Sequence, residues 1–167
     1  RSIVELAKRE RAKLIYFANP DNPMGSHWTA KDVQWLIDNV PDGCTLILDE
    51  AYIEFAPEGT APAIDVSRNS VLRFRTFSKA HGMAGIRVGY AFGHSDVTSA
   101  FDKIRNHFGI SRISQAGAIA AIKDQDWVAQ VKRDVISARG RIRDIARDNG
   151  LTPLPSATNF MAIDCGR

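Results

Sequence analysis

Thr76-Phe77-Ser78-Lys79-Ala80-His81-Gly82-Met83-Ala84-Gly85-Ile86-Arg87 is the stretch on which the reading of this chain turns. Thr76 and Ser78 bring hydroxyls before the lysine, Gly82 and Gly85 follow it, and Arg87 stands eight positions on. An apolar, β-prone run from Ser70 to Phe74 leads in, and a second, Ile86 to Phe92, leads out. A lysine in a glycine-containing loop between two core strands is out of place as a merely solvated charge.

Upstream, Lys13 to Ala18 and Thr45 to Leu48 are short apolar runs without helical period, and read as buried strands. Ser2 to Arg11 reads as the end of a helix. Thr29 and Asp32 resemble a capping box that opens a helix to about Val40, with Val33, Leu36 and Ile37 on one face. Asn19 to Gly25 is a loop by composition, with two prolines and two asparagines, and Pro41-Asp42-Gly43 is a turn. Glu54 to Arg68 is loop-rich. Four strands separated by helices or long loops predict an α/β fold, a three-layer arrangement around a mostly parallel sheet. Such sheets bind ligands beyond the carboxyl ends of their strands. The polar loops at Asn22, Asp49 and Lys79 each follow such an end.

After Gly93 the pattern turns helical, over Asp96 to Phe108, Ser114 to Lys123 and Asp126 to Asn149. The last carries Val128, Val131, Val135, Ile142 and Ile145 as its apolar stripe, with Gly140 as a candidate bend and Gly150 as its stop. A final strand is predicted over Asn159 to Ile163. A long helix followed by a fresh strand suggests passage from one domain (residues 1–136) into the start of a small α+β domain (137–167). The chain begins at Arg1 inside a helical pattern and stops just after an apolar run, so both ends read as cut from a longer protein.

The 167 residues are 44% hydrophobic and 25% charged, so a core of useful size can form. The net charge of +3 is spread out. Arg139, Arg141, Arg143 and Arg147 alternate with Asp144 and Asp148 and read as a solvated helix face, not a nucleic-acid footprint. Cys44 and Cys165, the two cysteines, make no metal motif or disulfide framework and fit a reducing, cytoplasmic setting. No run approaches the ~20 apolar residues that span a bilayer. His27, His81, His94 and His107 are scattered, and no metal site is expected from them.

The polar loops can be read by chemistry alone. Lysine becomes a nucleophile when desolvation or nearby cations lower its pKa. Thr76, Ser78 and Arg87 offer hydroxyls and a guanidinium fork suited to a phosphate. Asp49 can pair with a protonated heterocycle, and Asn22 and Tyr52 can hydrogen-bond a phenolate-like oxygen. Pyridoxal 5'-phosphate (PLP) asks for all of these at once: a lysine imine, a phosphate site, a partner for its ring nitrogen and donors to its ring oxygen.

Three motifs, in order, make the chain resemble the fold-type I PLP enzymes of the class I/II aminotransferases, and most of all the histidinol-phosphate aminotransferases. Asn22-Pro23-Met24-Gly25 stands where that family has Asn-Pro-Thr-Gly. Asp49-Glu50-Ala51-Tyr52 matches its Asp-Glu-Ala-Tyr. Ser78-Lys79 with Gly85-Ile86-Arg87-Val88-Gly89 matches its Ser-Lys and Gly-Leu-Arg-x-Gly. The resemblance implies that Lys79 holds the cofactor as an internal aldimine and moves protons, that Asp49 faces the pyridine nitrogen, and that Asn22 and Tyr52 face the ring oxygen. Ser78 and Arg87 resemble phosphate ligands, with Thr76 a helper. It also implies transamination between an amino acid or histidinol phosphate and a 2-oxo acid, in a homodimer. The family's first phosphate loop and stacking aromatic would lie before Arg1, and its carboxylate-binding arginine after Arg167. The chain then resembles a central fragment, inactive alone.

Two rival expectations share these motifs: a decarboxylase or lyase of the same fold, like threonine-phosphate decarboxylase, and a non-catalytic, aminotransferase-like sensor domain of a transcriptional regulator. Glu50, inside the second motif, reads as structural. Trp28, Trp35 and Trp127 read as helix packing. Tyr90 could be core or face the site, and Asn159 is a candidate substrate contact.

Overall fold

The computed structural model describes residues 2–166. Its centre is a four-stranded sheet in the order β1 (Leu14–Ala18), β2 (Thr45–Asp49), β3 (Val71–Thr76) and β4 (Gly89–Gly93). The first three strands are parallel and β4 runs antiparallel to β3. The sheet is thus mostly parallel, and the chain is α/β.

Helices α1 (Ser2–Arg9) and α2 (Ala30–Asp38) cover one face. Val4 and Ala7 of α1 and Val33, Leu36 and Ile37 of α2 form one apolar cluster with Ile15, Leu46, Leu48 and Val71. Leu46 and Leu48 are fully buried there. Alternation along the strands turns Phe74 to the opposite face. Its ring meets Phe101 edge-on at 6.4 Å, from the short helical segment after β4. Helix α2 starts where the capping pattern placed it: the Thr29 hydroxyl accepts the Asp32 amide at 3.3 Å and donates to the Asp32 carboxylate at 2.6 Å. It ends at Asp38, two residues short of the expected Val40, because the Asn39 amide folds back onto the Trp35 and Leu36 carbonyls.

Other boundaries moved further. The fourth strand starts at Gly89, not Ile86. Ala84–Ile86 is a 3-10 turn and Arg87 is left-handed, with φ 51°. The helix expected over Asp96 to Phe108 is only α3 (Ser95–Thr98) followed by a 3-10 turn over Ser99–Lys103. Ile104 and Phe108, the large apolar residues at the end of that segment, are 80% and 94% exposed. Helix α4 (Arg112–Lys123) is close to expectation.

Helix α5 (Gln125–Asp148) runs unbroken through Gly140 and through the expected boundary at residue 136. Only the first part of its stripe is inward: Val131 and Val135 pack on Tyr52, Phe55 and Ala80, whereas Ile142 and Ile145 are exposed and Ala146 is buried instead. The strand expected over Asn159 to Ile163 shrinks to β6 (Ile163–Asp164), paired with β5 (Thr152–Pro153). Residues 156–160 are instead tied into turns by the Ser156 and Thr158 hydroxyls. Arg139 is not a solvated charge. It is half-buried and donates to the Ser156 and Thr158 carbonyls, and burial pulls its pKa down.

Candidate active site

The site is assembled at the carboxyl edge of the parallel strands. Asn22 lies four residues past the end of β1, Asp49 is the last residue of β2, and Thr76 is the last of β3, with Lys79 three residues beyond. Each of these loops is fixed by its own polar contacts.

The first loop hangs on Asn19, which is 2% exposed. Its side chain accepts the Trp28 amide at 2.8 Å and donates to the Trp28 and Thr60 carbonyls. A buried amide group satisfied on both ends closes the loop that carries Asn22. Gly25, at φ +78°, presses against Ser156, where a Cβ would come within 2.6 Å of the Ser156 hydroxyl. Its carbonyl accepts the Ala157 amide at 2.8 Å, so the loop is docked to the segment after α5.

The second loop turns immediately after Asp49. The Asp49 carboxylate accepts the Ala51 amide at 2.9 Å through Oδ1 and the Tyr16 hydroxyl at 2.6 Å through Oδ2. Glu50 points the other way, into the protein. It is 1% exposed and pairs with Arg73 at 2.6 Å and Arg75 at 2.9 Å. Tyr52 is buried, edge-on to Phe160 at 5.3 Å, and its hydroxyl oxygen accepts the Asn22 amide nitrogen at 3.1 Å.

The third loop reverses the chain between β3 and β4. Gly82 N–H donates to the Lys79 carbonyl at 3.0 Å, with Gly82 at φ +69°, and Met83 N–H donates to the Phe77 carbonyl at 2.9 Å. A left-handed residue closes this turn without a side-chain clash, which suits glycine. Trp127 of α5 clamps the turn from behind, its indole N–H on the Ala80 carbonyl at 3.2 Å. The half-buried Lys79 places its Nζ over the Tyr52 ring, 5.2 Å from the centroid, a cation–π geometry. Arg87 reaches back with Nη1 to the Ser78 hydroxyl at 3.5 Å and to the Ala84 carbonyl at 2.8 Å. The Thr76 hydroxyl oxygen accepts the Ser78 amide at 3.0 Å.

Asn22, Tyr52 and Lys79 are therefore in one chain of contacts, and Thr76, Ser78 and Arg87 in another, with Asp49 on the same edge. This donor set suits PLP: a primary amine, two oxygen-directed donors, a carboxylate anchored on both oxygens, and a guanidinium beside a hydroxyl. The 530 Å³ cavity between α1 and α2, lined by Phe17, Trp28 and Trp35 among others, contains none of these groups. Among the described residues there is no cluster of three or more His, Cys, Asp or Glu able to hold a metal. His81 packs against Phe77 at 4.9 Å, and burial lowers its pKa.

The class I and II aminotransferase profile matches residues 2–167. The chain belongs to the class I and II aminotransferase family. It is 37% identical over 161 residues to a histidinol-phosphate aminotransferase of Bacillus pumilus, covering 95% of this chain and 44% of that protein. It is 34% identical over 160 residues to an aromatic amino acid aminotransferase of Mycobacterium avium, covering 94% of this chain and 45% of that one. The crystal structure of histidinol-phosphate aminotransferase from Sinorhizobium meliloti, in complex with pyridoxal-5'-phosphate, superposes with a TM-score of 0.95 at 51% identity. That match covers 98% of this chain and 45% of the Sinorhizobium chain. This aminotransferase chain thus spans less than half the length of the relatives it matches. The α/β fold of this family member, with its mostly parallel sheet, matches PLP-dependent transferase structures.

Tyr16 and Asn19 are site-supporting residues that sequence reasoning missed. Tyr16 looks like any aromatic in a strand, and only the β1–β2 register brings it to Asp49. For Asn19 a signal existed, since an asparagine directly after a buried strand is a frequent loop staple.

Proposed function

We propose that the protein containing this chain is a PLP-dependent aminotransferase, moving an amino group between an amino acid or histidinol phosphate and a 2-oxo acid such as 2-oxoglutarate. The observation that carries this is the Asn22–Tyr52–Lys79 cluster on the strand edge that also presents Asp49. Bound there, PLP supplies an electron-accepting ring for the pair left on the substrate α-carbon when its proton departs. Lys79 Nζ takes that proton and returns it, as base and then acid. Asp49 holds the ring nitrogen, and its negative charge favours a proton on it. Asn22 and the Tyr52 hydroxyl hold the ring oxygen. Ser78 and Arg87, helped by Thr76, hold the phosphate.

Residues 1–136 act in this reading as the second half of the cofactor-binding domain, and 137–167 as the start of a smaller one. The working form is a homodimer in the cytoplasm. Its partners are small molecules, an amino donor and a 2-oxo acid acceptor, and neither nucleic acid nor membrane. Two free cysteines support that placing. No helix among the described residues is long and apolar enough to cross a membrane.

The test uses the full-length protein. Added PLP should give the visible absorbance band of a lysine-bound cofactor, and Lys79→Ala should abolish it. A wild-type protein without the band, or a variant that keeps it, overturns the assignment. Release of carbon dioxide without amine transfer to 2-oxoglutarate would replace transamination by decarboxylation.

A further inference from the structure

Asp49 is restrained at both carboxylate oxygens. Oδ1 accepts the Ala51 amide at 2.9 Å and Oδ2 accepts the Tyr16 hydroxyl at 2.6 Å. Contacts on two different oxygens resist rotation of the carboxylate about its Cβ–Cγ bond. Each oxygen keeps a second lone-pair site for another donor.

The sheet register builds this contact. Tyr16 is opposite Ile47 and Ala18 is opposite Asp49. Alternation with a period of two puts Tyr16 and Asp49 on the same face, one step apart along adjacent strands. Among the described residues, no packing contact accounts for the hydroxyl. Tyr16 is 61% exposed, outside the cluster that buries Ile15 on the other face. Its bond to Asp49 is what separates it from a phenylalanine.

We propose that Tyr16 is a positioning residue for Asp49, its hydroxyl holding the carboxylate at the angle from which a free lone pair meets the ring nitrogen of PLP. This rests on the transaminase reading of the site. Phenol acidity agrees with it: the Tyr16 pKa is pushed up to about 12, first by donation to Asp49, then by burial and by the Asp49 charge. The hydroxyl therefore stays a donor across any working pH.

The experiment has two arms on the full-length protein. In the cofactor-free protein at pH 11, an ordinary tyrosine is about 90% phenolate. Wild type minus Tyr16→Phe should show almost no phenolate absorbance at 295 nm for Tyr16, whereas in the Asp49→Asn background the same difference should show nearly one full phenolate. Equal absorbance in both backgrounds overturns the contact. In the second arm, Tyr16→Phe should retain PLP about ten-fold more weakly, the low end for a charge-assisted hydrogen bond on an exposed residue. The thermal midpoint of its cofactor-free form should match wild type. Added to the Asp49→Asn variant, the same substitution should have no further effect on retention. Unchanged retention, a loss that persists in the Asp49→Asn background, or a fall in the cofactor-free midpoint each overturns the positioning role. A wild-type protein that takes up no PLP removes the transaminase reading and this role together. Wild type that binds PLP with Tyr16→Phe its equal removes this role alone.

Discussion

Glu50 sits one residue from the proposed ring-nitrogen partner, yet its work is internal. Its carboxylate is 1% exposed and bridges Arg73, 3% exposed, and Arg75, 20% exposed. Burial works against the Arg75 charge, and the Glu50 carboxylate, with a smaller contribution from Tyr90, more than offsets it, so the Arg75 pKa is raised. Glu50→Gln keeps the volume and removes the charge. Arg73 is then a buried guanidinium whose charge meets only neutral groups, among them the Pro62 and Ala63 carbonyls and the Phe92 ring. Breaking one side of a buried pair costs roughly 3–5 kcal/mol. The remaining carbonyls place this case near the lower figure, about 3 kcal/mol. The Glu50 amide donates to the Phe74 carbonyl at 2.9 Å, so opening between β2 and β3 reports the loss locally. Hydrogen exchange of peptides spanning these strands should accelerate about 100-fold, the factor corresponding to such a loss. Glu50→Leu with Arg73→Met removes both buried charges and leaves Arg75 able to turn to solvent. That double variant should recover to within about ten-fold of wild type, since a well-packed apolar pair often replaces a buried ion pair without loss. Acceleration of less than about three-fold in the single variant would refute the reasoning, as would a double variant worse than the single.

The supports of the site carry two further expected outcomes. A Cβ at Gly89 would lie 2.8 Å from the Arg75 backbone oxygen, so Gly89→Ala must spread β3 from β4. We expect a loss of about 1–3 kcal/mol in thermal unfolding of the cofactor-free protein, and an unchanged midpoint would contradict the close approach. For His81, burial favours the neutral ring and lowers its pKa below the usual 6.5. Its contribution to stability is therefore present above pH ~6.5 and lost as pH falls through the lower folded-state value. An NMR titration of the His81 ring should give a midpoint below 6.5, and one at or above 6.5 would show that the Phe77 packing does not desolvate it.

The strands were legible because each is a short, largely apolar run without helical period, as in Leu14–Ala18 and Thr45–Asp49. Where the reading failed, a tertiary contact overrode a local pattern. Ile86-Arg87-Val88 is as β-prone as the strand after it. The chain cannot pair there, because it must first complete the reversal that carries Lys79, and it does so with a 3-10 turn and a left-handed Arg87. The 96–108 segment has helical period, but Ile104 and Phe108 find no apolar surface among the described residues, and packing of such a face is what sustains most short helices. In α5 the inward position near the end goes to Ala146 and not to Ile142 or Ile145. Arg139 of the same helix holds the Ser156 and Thr158 carbonyls, a contact that no stripe of large residues announces.

The same division runs through the site. Lys79, Asp49, Asn22 and Tyr52 could be placed on one edge without coordinates because strand ends are visible as changes from apolar to polar, and a parallel sheet collects those ends on one edge. What a sequence does not carry is register. Sliding β1 by one residue against β2 would turn Tyr16 to the α1–α2 face and bring Ile15 or Phe17 beside Asp49, with no change in the apolar pattern that identified either strand. The burial of Ile15 against α1 and α2 selects the register. The hydroxyl on Asp49 is thus specified by a core contact on the opposite side of the sheet. A substitution that loosened Ile15, four residues before the first loop begins, would be felt at the Asp49 carboxylate before it was felt at Lys79, whose turn is held separately by Gly82 and Trp127.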